Sequence, residues 1–65
     1  MLNWNVYATM SQMQPGDSFF IPCVDCDPLR RKISKTADSM RLRVNIRFVV
    51  EGEIQGLRTF LLETV

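Results

Sequence analysis

Residues 42–62, LRVNIRFVVEGEIQGLRTFLL, decide how the chain folds. In the first half Leu42, Val44, Ile46 and Phe48 alternate with Arg43, Asn45 and Arg47. That period of two belongs to a strand with one face on a core and the other in water. Glu51-Gly52 supplies a tight turn, and residues 54–63 return as a second strand. Leu57, Thr59 and Leu61 lie on one side of it, with Arg58, Phe60 and Leu62 on the other. A two-residue connection through Glu51 and Gly52 sets Val50 opposite Glu53, Ile46 opposite Leu57 and Leu42 opposite Leu61, so that the apolar faces coincide.

Working back from the hairpin, the period changes to that of a helix. Leu29, Ile33, Ala37 and Met40 form one apolar stripe over residues 28–40. Asp27 is placed to cap this helix, and Pro28 suits its first turn, where a missing backbone N–H costs nothing. Before it, Pro15-Gly16 reads as a turn, Asp17 to Ile21 as a short strand, and Pro22 as the strand's end, because proline offers no donor to a ladder. Residues 1–13 read as an N-terminal arm or short extra element docking on the core. Trp4, Tyr7, Met10 and Met13 recur at near-helical steps, while Trp4, Val6 and Ala8 also fit a strand. The expected architecture is α+β: one domain over residues 1–65, in β-α-β-β order, with a small antiparallel sheet covered on one face by a single helix.

A domain of 65 residues buries only ~60% of the surface its unfolded chain exposes. Domains this small commonly draw on a disulfide, a metal or a second subunit, and the methionines and aromatics near the N-terminus favour a homodimer. With 46% hydrophobic and 23% charged residues the composition is globular, without a membrane-spanning run. The first apolar residues are broken by Asn3 and Asn5 with no basic residue before them, unlike a secretory signal, so an intracellular location is expected. The net charge of +1 conceals an asymmetry. Residues 1–29 hold Asp17, Asp25 and Asp27 and no basic side chain, whereas all eight basic residues fall between positions 30 and 58. A local positive field of this kind favours phosphates or an acidic protein surface.

The expected register gathers Arg43, Arg47 and Arg58 around Asn45, with Phe60 alongside, on the sheet face turned away from the helix. Three guanidinium groups held together call for a neutralising anion. Phe60, joined by Phe19 or Phe20, would add stacking to charge, the combination that single-stranded nucleic acid uses. The same face also reads as an ordinary solvated sheet surface whose arginines pair with Glu51, Glu53 or Glu63, or as a contact for an acidic partner protein. Arg31 and Lys35, four apart on the helix, form a second basic group that would assist. Cys23-Val24-Asp25-Cys26 sits between strand and helix, where a redox pair would place its thiols. Asp25 and Asp27 oppose a thiolate there, and two cysteines without histidine give half a zinc site. The expectation is therefore two reduced cysteines, dispensable for folding, and no metal. With no histidine, no base beside Ser18 and no phosphate-cradling glycine loop, neither an enzyme nor a bound cofactor is expected.

The run Met13-Gln14-Pro15-Gly16-Asp17-Ser18-Phe19-Phe20-Ile21-Pro22, a basic helix after it and a closing Gly56-Leu57-Arg58-Thr59-Phe60 resemble small proteins of tailed bacteriophages. In those, a Gly-Asp-Ser-Phe-Phe-Val-Pro-like strand precedes a helix and a Gly-x-Arg-x-Trp-like strand. The likeness spans roughly residues 7–62, with Phe60 where the pattern often has Trp and no counterpart to Cys23 and Cys26. It implies a phage origin, the bacterial host's cytoplasm, and one of two tasks: an accessory role on nucleic acid, or inhibition of a host polymerase, nuclease or defence complex.

Overall fold

A computed structural model describes residues 5–64. The elements are α1 (Val6–Ser11), β1 (Ser18–Pro22), α2 (Asp27–Ser39), β2 (Leu42–Glu51) and β3 (Ile54–Thr64). The three strands form one antiparallel sheet in the order β1-β3-β2. The β-α-β-β order and the α+β class are as the periodicities predict, and α2 packs on the sheet.

The hairpin turns one residue later than expected. Gly52 and Glu53 are its two central residues, at φ +56° and +70°, the paired left-handed conformations of a type I′ turn. Val50 then faces Gln55, Ile46 faces Thr59, and Val44 faces Leu61. The expected partners are displaced by two residues. An even displacement leaves every side chain on its own face, so alternation alone could not separate the two registers. Between Arg43 and Val44 the register shifts again: Leu62 is an extra residue on β3, and Arg43 comes opposite Glu63.

Backbone hydrogen bonds define the sheet's edges. Leu61 N donates to the Asp17 carbonyl and Cys23 N to the Gln55 carbonyl, so odd-numbered residues of β3 bond towards β1 and even-numbered ones towards β2. Because backbone direction alternates along an antiparallel strand, Ser18, Phe20 and Pro22 turn their backbone groups outward at the β1 edge. Val44, Ile46, Phe48 and Val50 do so at the β2 edge. Pro22 has no N–H to expose there, a common protection of an edge strand.

Ile33 and Ala37 of α2 pack on Ile21 and Leu57 of the sheet. Leu29 and Met40 of the expected stripe are half-buried beside them. A second helix shares this side. In α1, Val6 and Met10, four apart, enter the core, while Tyr7 is 63% exposed. Asn5 caps α1, its Oδ1 accepting from Ala8 N at 2.9 Å. The N-terminal element is thus a docked helix that buries Val6 and Met10, and Trp4 lies outside the described residues.

Three local expectations need correction. Asp27 does not cap α2: it is the first helical residue and Cys26 holds the cap position without a side-chain bond. Asp17 precedes β1, where its carboxylate accepts from Gln14 N at 2.9 Å and closes the turn at Pro15-Gly16. Cys23 and Cys26 are not free thiols but a disulfide. The four-residue link from β1 to α2 brings their Cα atoms to 5.3 Å, inside the range a bridge requires.

Two positions on β3 test this packing. Thr59 is buried between Phe19 and Ile46, and its hydroxyl finds no partner among the described residues. Thr59→Val should raise stability by about 1 kcal/mol in urea unfolding, since it removes an unsatisfied polar group at nearly constant shape. Gly56 lies under the Phe20 ring, where a Cβ would come within 2.7 Å of the ring's Cζ and also clash with the Ile21 carbonyl. Gly56→Ala should lower stability by roughly 1–3 kcal/mol.

Candidate functional site

Both helices lie on one side of the sheet, which leaves the other side as an open face. It carries Ser18 and Phe20 from β1, Gly56, Arg58, Phe60 and Leu62 from β3, and Asn45, Arg47, Val49 and Glu51 from β2. Of the two phenylalanines the sequence offers, Phe20 faces this side, and Phe19 packs against the core.

Arg58 stands at the centre and is fully engaged. Its Nη2 donates to Glu51 Oε1 at 2.7 Å and its Nε to Glu51 Oε2, a two-point pairing of guanidinium and carboxylate. Nη1 donates to Ser18 Oγ at 3.0 Å. The guanidinium also lies over the Phe20 ring, 5.5 Å from its centroid. The expected triple cluster is therefore reorganised. Arg58 is neutralised within the fold, and Arg43 is drawn off to Glu63 at 3.0 Å. Glu51 and Glu63 are the carboxylates that pair, and Glu53 makes no ion pair among the described residues. The sequence reads Ser18, with Asp17, as a cap of the turn after Gly16; its contact with Arg58 follows from the β1–β3 register, which only the folded sheet supplies.

Arg47 is different. It faces Arg58 across the β2–β3 ladder, is exposed, and has no carboxylate within 4 Å among the described residues. Beside it Asn45 pairs with Phe60. Arg47, Asn45, Phe60 and Leu62, with Gly16, line a cleft of about 290 Å³. Phe60 is half-buried, so part of its ring is accessible. The cleft thus sets a cation, an amide and part of an aromatic ring side by side.

Arg31 and Lys35 do not join this group. They are exposed on α2, two residues either side of the buried Ile33 or Ala37, and so point away from the sheet, on the opposite side of the molecule from Arg47 and Phe60. Any role they have is at a separate surface.

The Arg58 pairing has a pH signature. Hydrogen bonding from Arg58 holds the Glu51 carboxyl below the usual carboxylate range. A carboxylate depressed on folding adds stability that is present in full above the unfolded value, about pH 4 for glutamate, and is lost as pH falls through the folded value. Urea unfolding below pH 4 should therefore show Glu51→Gln losing less stability on acidification than the wild type. Equal acid sensitivity in the two proteins would mean that the pair adds nothing.

Compared with known proteins, the chain matches no protein-family model, no curated protein and no solved structure.

Proposed function

We propose that the open sheet face binds single-stranded nucleic acid, with Phe60 as the stacking platform, Arg47 as the phosphate contact and Asn45 as a donor and acceptor for a base edge. The observation that supports this most directly is Arg47: among the described residues it is the arginine of the open face left without a carboxylate, and it shares a cleft with an accessible aromatic ring. An uncovered antiparallel sheet with aromatics on its surface lets unstacked bases lie flat. Arg58 acts as a positioning residue, keeping Phe20 and Glu51 in place beside the platform. Arg43 contributes where a phosphate displaces Glu63 from an exposed pair, since such pairs are weak.

The biological setting that fits is an accessory role in phage nucleic-acid metabolism inside a bacterial cell. Among the described residues no helix is long and apolar enough to cross a membrane.

Binding of oligothymidylate, followed by fluorescence anisotropy against salt, tests the reading. Each phosphate contact adds about −0.7 to the slope of log K on log salt, so Arg47→Ala should weaken binding and make the slope shallower by roughly 0.7. Phe60→Ala should cost about 1–3 kcal/mol of affinity with the slope nearly unchanged. Circular dichroism establishes that both variants fold. Absence of oligonucleotide binding at low salt overturns the proposal and favours an acidic host protein as the partner of the same face.

A further inference from the structure

A second surface lies along the outer edge of β2, independent of the face just described. A groove of about 700 Å³ runs between this edge and α2, lined among others by Arg30, Asp38, Arg41, Arg43, Val44 and Ile46. Three features of the groove converge. The first is the edge itself. β2 is ten residues long and turns the backbone N–H and C=O of Val44 and Ile46 outward, with no proline such as the one that blunts the β1 edge. An unpaired edge of this length is a template for another strand. The second is charge: with Arg43 already paired to Glu63, Arg30 and Arg41 stand against one aspartate, Asp38.

The third is conformational. Arg41 follows the end of α2 at φ +56°, a left-handed position that glycine fills at helix ends and that an arginine occupies only with strain. A cation therefore stands at the groove in a backbone position where glycine would fold more easily. Arg30 shows what the edge can do, because its Nη1 already donates to the outward Ile46 carbonyl at 3.2 Å.

We infer that the α2–β2 groove takes an extended acidic polypeptide segment, which adds to β2 as a fourth strand through Val44 and Ile46 while its carboxylates meet Arg30 and Arg41. On binding, an N–H of the segment replaces Arg30 at the Ile46 carbonyl and frees that guanidinium for a carboxylate. Main-chain bonds to the edge give affinity and the arginines give charge selection. A second copy of this chain fits less well, since its own β2 would bring Arg43 and Arg47 up to a cationic groove.

The probe is a capped heptapeptide of alternating Glu and Val, added at up to millimolar concentration to the ¹⁵N-labelled full chain. Two controls accompany it, a Lys-for-Glu version and one N-methylated at alternate residues. The expected result is shifted and exchange-protected amides at Val44 and Ile46 with the Glu peptide, and loss of both effects with either control. Arg41→Gly should weaken binding by up to roughly fivefold, the upper end of what an exposed ion pair supplies. The same variant should unfold at equal or higher urea concentration, which separates a binding role from a structural one. The inference is overturned by absence of shifts at millimolar peptide, by equal binding of the N-methylated peptide, or by oligothymidylate displacing the peptide from Val44 and Ile46. Amides there that are already protected in a dimeric peptide-free protein, detected by light scattering, also overturn it. The residue varied, Arg41, and the amides read, Val44 and Ile46, are not those of the open face's cleft, so this result and the oligonucleotide result stand separately.

Discussion

Pairing of β3 with its two neighbours is the constraint on which the rest of the molecule depends. β3 is the central strand, and Leu57, Thr59 and Leu61 on it are fully buried. α2 and α1 close over that row through Ile33, Ala37, Val6 and Met10. In a chain of this length no second core can take over, so the register of the β2–β3 hairpin fixes which side chains meet everywhere else. The turn at Gly52-Glu53 sets that register. A turn one residue earlier would keep the faces and lose the partners, putting Arg58 opposite Asn45 instead of Arg47.

From this register follows the electrostatics of the open face. Two arginines stand opposite each other on neighbouring strands, an arrangement that repels unless one is neutralised. Glu51, at the end of β2, reaches Arg58 and neutralises it from one side, while Phe20 and Ser18 hold it from the other. Gly56 is part of the same device, since only a residue without a side chain lets the Phe20 ring lie across β3. Arg47 is left with its charge available to a ligand. The site is accordingly smaller than a patch of three arginines: among the described residues it is one unpaired cation beside one ring.

The two surfaces differ in what they present. The open face offers side chains over a fully paired central strand, which suits planar bases. The β2 edge offers backbone groups beside a helix, which suits another polypeptide. Arg43 lies where the two meet, lining the groove while its guanidinium pairs with Glu63.

Local pattern determined a great deal. Alternation from Leu42 to Phe48, the stripe at Leu29, Ile33, Ala37 and Met40, and the punctuation at Pro15-Gly16, Pro22 and Pro28 place four of the five elements, because the periods of helix and strand depend only on backbone geometry. They also assign the faces of β2 and β3, so Arg47, Asn45 and Phe60 were legible as neighbours on one side. Three things were not legible. The register was hidden because a slip of two residues changes no face. The fates of Arg58 and Arg43 were hidden because ion pairs depend on which carboxylate the register delivers, and Glu51, Glu53 and Glu63 were all eligible. The disulfide and the burial of Val6 and Met10 rather than Tyr7 depend on how closely strand, loop and helix approach in space. The sequence by itself determined the elements and their faces, since those follow from short-range periodicity. Tertiary structure alone decided the partners, since a partner is a matter of distance between residues that the chain order leaves far apart.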